Sequence, residues 1–493
     1  MGSGKRHQKP NRAKGVIDPE ALRAHMQQQA VEAGVAAPPV VPVCLTKLVS
    51  TSASDREEGC VDITQFALQP SHHTALKYHK AHRKVAQLLR DENVHVRGAA
   101  AAALRNLLTN DTSDDDALLE EVVTQDLVAQ TIVTSVTELM SQYPRVSEAL
   151  GQAKLAAANA AHDISTADEE HDVVTQEEQL TTLLTGIEQA LEENFELASV
   201  VGEGSPESAD ILSDAAFLSQ VATVVCELSV STREHSVNAA VAAAELLSLL
   251  SADNDAVASF IGSGLSSEQL HALNSWIQGV PPTSTAENKS PSAISPRLLR
   301  LCVALAGTLV NCAPNEQNAT RVLPIINYAL TALPFKEWCR VLPLLSEDCN
   351  LADEVRTLAV SQSTDRLRSL QAAVDLLGTI VSFVCEAHHD EEDDEVAFMQ
   401  NPHAALLSNS GVFSNVGEVI KDLLQPFPDA TCMRALREAT PNGDASTLQH
   451  LFLSVEVGVF GLASTLLMML PVASLGPFNV VWRAIVSALQ RRY

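Results

Sequence analysis

Along most of this chain apolar residues return every three or four positions, the spacing that puts them on one face of an α-helix. Val85, Leu88 and Leu89 form one such face. Turn chemistry follows at Asp91–Asn93, and Val96, Ala100, Ala103, Leu104 and Leu107 then form a second stripe. Phe217, Val221, Val224 and Leu228 make the next, followed by Val237, Val241, Ala244, Leu247 and Leu250. Leu298, Cys302, Leu305 and Leu309 make another, ending at Asn311. Leu367, Leu370, Val374, Leu377, Val381 and Val384 alternate threes and fours, a strong helical stripe. Strand alternation is nearly absent, so the chain is predicted to be all-α.

The clearest unit is AHRKVAQLLRDENVHVRGAAAAALRNLL, Ala81–Leu108. Two short antiparallel helices, a polar turn and an alanine seam that admits a close neighbour are the signature of an armadillo or HEAT repeat. The fold expected is an armadillo/HEAT-repeat superhelical solenoid, in which each unit packs only on its neighbours. Residues 76–385 read as armadillo-like repeats and 401–493 as HEAT-like repeats. Residues 1–75 read as disordered: a basic start, Gln27–Gln29, Pro38, Pro39, Pro42 and a polar Ser/Thr stretch, with order beginning near Ala75. Three interruptions are expected: residues 151–178, Ala-rich then acidic, the Pro/Ser/Thr-rich loop 279–296, and an acidic loop at 386–400.

Hydrophobic residues make up 46% of the 493, but aromatics only 4%. Leu, Val and Ala dominate, which suits stacked helices better than a β-sandwich. The formal net charge is −28. The first fourteen residues hold Lys5, Arg6, Lys9, Arg12 and Lys14 and no acid, so the remainder sets 28 bases against 61 acids. Such a body repels phosphates and attracts basic partners, which disfavours direct nucleic-acid binding. Nine scattered cysteines, with no Cys-x-x-Cys, read as reduced thiols, several of them inside apolar helices. No apolar run follows the basic start, so no secretory signal is expected.

Candidate chemistry is sparse. His72, His73, His79 and His82 cluster near the first clear unit, but no cysteine or carboxylate pair completes a zinc set, and they read as solvated. The segment EAHHDEEDDE offers Glu386, Asp390, Glu391, Glu392, Asp393, Asp394 and Glu395. It reads as a flexible acidic contact loop or as a solvated charge run. Asn106 and Asn311 stand near the ends of second-position helices, where an Asn either lines an inner groove and bonds an extended peptide or caps its own helix. Val457–Ala473 carries no charge and approaches the length of a membrane span, but Glu456, Pro471 and the small residues Gly458, Gly461 and Ala463 favour a buried helix. No phosphate loop, nucleophile elbow or paired-carboxylate arrangement is present, so neither catalysis nor a cofactor or metal is expected.

Four segments, in this order, resemble the symportin family, HEAT-repeat nuclear import adaptors for ribosomal proteins. They are GKRHQKPNRAK at the start; VRGAAAAALRNLL with VVTQDLVAQTIVTSVTEL, Val96–Leu108 and Val122–Leu139; SLQAAVDLLGTIVSFVCEAHHDEEDDEVAF, Ser369–Phe398; and STLQHLFLSVEVGVFGLASTLL, Ser446–Leu467. The resemblance implies a non-enzymatic adaptor that shuttles between cytoplasm and nucleus. It implies as cargo the large-subunit ribosomal proteins that join 5S rRNA. Lys5, Arg6, Lys9, Arg12 and Lys14 would be the import signal read by an importin, and Glu386–Glu395 a cargo contact. Some family members carry a Pro-Tyr element in the import signal, and none follows the basic residues here. The C-terminal repeats look reduced beside the family's. The alternative is an armadillo-type scaffold with unrelated partners.

Overall fold

The computed structural model describes residues 40–110, 128–160, 167–278, 294–341, 352–386, 410–423 and 444–469, together with Leu344, Leu407 and Gln425. Among the described residues the chain is all-α, a stack of helical repeats. It opens with α1 (Val40–Lys47), α2 (Ala53–Ala67), α3 (Pro70–Tyr78), α4 (Ala81–Leu88) and α5 (Val94–Thr109). Two long helices follow, α6 (Val128–Ala160) and α7 (Ala167–Gly204), then α8 (Pro206–Leu212), α9 (Ala215–Leu228) and α10 (Glu234–Leu250). Beyond these come α11 (Asp255–Ser263), α12 (Ser267–Ile277), α13 (Pro296–Cys312), α14 (Glu316–Ala329), α15 (Pro334–Val341), α16 (Asp353–Glu386), α17 (Val412–Leu423) and α18 (Asp444–Met469).

One helix of each unit stands in a central row. Helix α2 packs on α5, α5 on α7, α7 on α10, α10 on α13, α13 on α16, and α16 on α18. The remaining helices back this row: α4 lies on α5, α6 on α7, α9 on α10, α12 on α13, α14 and α15 on α16, and α17 on α18. Nearest-neighbour packing of this kind makes a solenoid, with one continuous core running through it.

The helical stripes bury as their spacing requires. Val96, Ala100, Leu104 and Leu107 on α5 are at most 1% exposed. Phe217, Val221, Val224 and Leu228 on α9 are buried, as are Leu367, Leu370, Val374, Leu377 and Val381 on α16. Helix starts are set by side-chain caps. Asn93 accepts from the backbone N–H of His95 and Val96 at α5, Asp214 caps α9, Ser295 caps α13, and Ser266 with Gln269 forms a full capping box at α12.

Three expectations are corrected. Helical structure is already present from Val40, well before Ala75. Val41, Cys44, Leu45 and Leu48 fall at helical spacing and are buried, and so are Cys60, Ile63 and Ala67 on α2. Pro42 lies in the first turn of α1, where its missing N–H removes no helical hydrogen bond. The stretch 151–178 is largely helical rather than an interruption, since α6 reaches Ala160 and α7 begins at Ala167. The apolar C-terminal run is half buried, with Val459, Leu462, Ala463 and Leu466 on the core side and Val457 72% exposed. Among the described residues no single helix is long and apolar enough to cross a membrane. The bent pair of α8 and α9 passes by composition, but its apolar residues Leu212, Phe217, Leu218 and Val221 are core. Most of 279–296 and of 386–400 lies outside the described residues.

Candidate functional site

The central row brings polar side chains from successive repeats against one another. At its start Asn106 on α5 donates from Nδ2 to the carbonyl of Thr64 on α2, 3.3 Å away. On α13 Asn311 donates from Nδ2 to the carbonyl of Ser248 on α10 and to the Ser251 hydroxyl, each at 3.2 Å. Both amides therefore tie a central helix to the one before it, instead of capping their own helix. Deeper in the stack Glu188 on α7 is fully buried. Arg233, the N-cap of α10, donates to both of its carboxylate oxygens at 2.9–3.1 Å, and the Ser236 hydroxyl donates to it at 2.6 Å. A buried carboxylate needs this many donors.

Across α7, α10, α13 and α16 the row opens into a cleft of about 290 Å³. Its walls are charged. Arg297, in the first turn of α13, donates to Asp365 Oδ2 on α16 at 3.0 Å and to Glu234 on α10 at 2.7 Å. Arg300, one turn on, donates to Asp365 Oδ1 at 2.8 Å and to both oxygens of Glu245 at 2.8 and 2.9 Å. On the far wall Glu196 pairs with Arg105 of α5, which also lies 3.1 Å from Glu193. Glu192 and Arg368 complete the lining.

Burial sets the electrostatics here. It works against the charge of Arg300, yet Glu245 and Asp365 overcome it and raise that pKa. The Glu192 carboxyl is pushed up to about 7, first by burial and then by the charge of Glu193, against a hydrogen bond from Asn238 and the nearby Arg297 and Arg105. The Arg368 guanidinium is lowered, first by Arg300 and then by burial. The cleft can hold a polar or charged group, and no nucleophile with a base stands in it.

The residues singled out in the sequence fall elsewhere. Lys5, Arg6, Lys9, Arg12 and Lys14 lie outside the described residues. Glu386 is the last residue of α16, while Asp390, Glu391, Glu392, Asp393, Asp394 and Glu395 lie outside the described residues. Two of the four histidines, His73 and His82, are buried and not solvated, which corrects that expectation for them, while His72 and His79 are half-buried. His73 is 4% exposed, with Nε2 2.9 Å from the Leu107 carbonyl, and His82 is 1% exposed. His72 stacks on Phe66 with ring centres 5.0 Å apart, and burial followed by Lys84 lowers the His79 pKa. His73 thus joins α3 to α5, which a local reading of a polar stretch does not reveal. Among the described residues no group of three His, Cys, Asp or Glu is placed to hold a metal. The described cysteines are free thiols, with burial pushing Cys44, Cys60 and Cys302 up to about 12.

The cleft arginines were missed in the sequence. They pair with residues 50 to 70 positions away, so spacing gives no hint. A signal was present all the same: Arg297 and Arg300 sit three apart on one helix face, in a chain with only 33 basic residues.

No protein-family model matches this chain. No curated protein matches it either. Among solved structures it is similar to an engineered protein, at 14% identity over 68% of this chain and 97% of that one, with a TM-score of 0.33. It is similar to a chain from the cadherin and beta-catenin interaction, at 13% identity over 91% and 97%, TM-score 0.16. It is similar to SYS-1, at 10% identity over 89% and 97%, TM-score 0.20. These scores are too low to carry an argument, and the fold rests on the helix packing described above.

Proposed function

We propose that this chain is a non-enzymatic adaptor that takes an extended segment of a partner protein along its central row of helices. The observation that carries this reading is the cleft across α7, α10, α13 and α16, built by four successive repeats and lined with hydrogen-bonding and charged side chains. A groove that crosses repeats presents regularly spaced contacts to a chain lying along it. The acidic balance of everything after residue 14 favours a basic partner. The resemblance in sequence supplies the finer reading: cargo drawn from the large-subunit ribosomal proteins that bind 5S rRNA, an importin engaged by Lys5–Lys14, a contact at Glu386–Glu395, and shuttling between cytoplasm and nucleus.

The test uses the full-length chain and a purified 5S-rRNA-binding ribosomal protein. Association is expected to be fast at low salt and to slow as salt rises, because steering by many charges is screened beyond about 8 Å at physiological ionic strength. Neutralising Glu386, Asp390, Glu391, Glu392, Asp393, Asp394 and Glu395 should reduce both the rate and its salt dependence. Removing residues 1–15 should abolish nuclear entry of a fusion. No binding at physiological salt would leave the second reading, an armadillo-type scaffold with unrelated partners. That reading is favoured by one observation, the positive wall of the cleft at Arg368, which a carrier of basic segments alone does not need.

A further inference from the structure

We propose that the cleft holds a carboxylate-recognition subsite, in which Arg368 takes the side chain of an Asp or Glu in an extended partner segment. The inference rests on the reading of this face as a peptide-binding surface and specifies one of its contacts.

The pairing of charges leads to it. Asp365 uses one oxygen on Arg297 and the other on Arg300. Glu245 gives both of its oxygens to Arg300. Glu196 is engaged by Arg105 on the opposite wall. Arg368 lines the same cleft and makes no hydrogen bond or ion pair with any of the described residues. The largest electrostatic influence on it is repulsion from Arg300, which outweighs attraction to Glu245 and Asp365. A guanidinium carries five donors and no acceptor, cannot shed its charge at neutral pH, and binds a carboxylate through two parallel hydrogen bonds.

Among the cleft arginines Arg368 alone has no carboxylate of its own, and a single such cation matches a single carboxylate. A phosphate dianion would bring a second charge toward Asp365 and Glu192. Asn238 on α10 lines the same cleft, and its buried Oδ1 accepts no hydrogen bond within the described residues, so it can take a backbone N–H of the segment. The space, about 290 Å³, admits a side chain with its flanking peptide groups.

The experiment immobilises the full-length chain and exposes it to three pools of ten-residue peptides, random except for a central Glu, Gln or phosphoserine. The Glu pool is expected to be retained about tenfold more than the Gln pool, the factor that one charge-assisted bidentate contact supplies. Arg368→Gln should erase that preference and Arg368→Lys should restore part of it, with unchanged helical circular dichroism in both. Equal retention of the Glu and Gln pools, a preference that survives Arg368→Gln, or stronger retention of the phosphoserine pool would each overturn the subsite. Binding of the ribosomal protein is measured on the same samples. Its absence alongside an intact Glu preference strikes only the ribosomal reading; its presence without that preference strikes only the subsite.

Discussion

The seam between α5 and α7 and the seam between α13 and α16 obey one stacking rule and fill the contact differently. At the first, small residues bring the backbones together: a Cβ on Gly98 would come within 3.3 Å of the Ala190 Cα. Ala101, Leu104, Ile187 and Leu191 are fully buried in the core. Both arginines of α5 reach carboxylates, Arg97 at Glu138 and Arg105 at Glu193 and Glu196. At the second seam three arginines share the cleft with acids that two of them already occupy. The first seam is complete within the chain, whereas the second leaves a donor facing the cleft. In a repeat array the place where internal pairing stops short marks where another molecule is expected.

The largest effect should come from damage to the complete seam. Leu104→Asp puts an unpaired carboxylate into a fully buried site and also leaves a cavity. A loss of about 4 kcal/mol or more is expected in urea denaturation, concentrated in the N-terminal repeats and visible there by hydrogen exchange. A loss below about 1 kcal/mol would mean that α5 does not sit in the core.

Next in size is the polar staple between α7 and α10. Glu188→Gln keeps the shape but leaves Arg233 without its carboxylate in a largely dry site. Breaking one side of such a pair costs about 3 kcal/mol. Restoring stability by a second change, Arg233→Met, would identify the cost as the stranded charge and not the lost volume.

Both expectations rest on what the sequence makes legible and on what it hides. The stripes on α5, α9, α10, α13 and α16 were readable because helix burial is local in sequence: the residue that buries is three or four from the next that does. The helix from Val40 was hidden because Pro38, Pro39, Pro42 and a polar stretch outweigh a short stripe in any local window. The burial of His73 is hidden for the same reason, since its Nε2 meets the Leu107 carbonyl, 34 positions away. The cleft was invisible because its pairs join residues from different repeats. The partners of Asn106 and Asn311 are equally remote in sequence, Thr64 for the first and Ser248 and Ser251 for the second.

A smaller effect separates the seams by pH. Glu192 holds a proton up to about pH 7 in the folded chain, against about 4.5 for an ordinary glutamic acid. Between those values the folded state binds more protons than the unfolded one, so this residue's contribution to stability falls as pH rises. Glu192→Gln should therefore gain about 2 kcal/mol over the parent between pH 5 and pH 8. Melting temperatures of the two proteins across pH 5 to 8 provide the measurement. Parallel curves would place Glu192 in water and not in the cleft.

The smallest effect has the opposite sign to the first two and is the most telling for the comparison. An arginine that completes a seam should be missed when it is removed, whereas one facing an open subsite should not. Arg368→Gln takes away a cation that Arg300 repels and that burial penalises, and it breaks no hydrogen bond to the described residues. The variant is expected to be as stable as the parent or more stable by about 0.5 kcal/mol, the scale of a partly screened like-charge contact. Arg300→Gln in the same assay takes from Glu245 the guanidinium that holds both of its oxygens and from Asp365 one of its two, and should lose stability. A loss for Arg368→Gln equal to that for Arg300→Gln would show Arg368 to be a structural partner within the stack, and the two seams would then differ in composition alone.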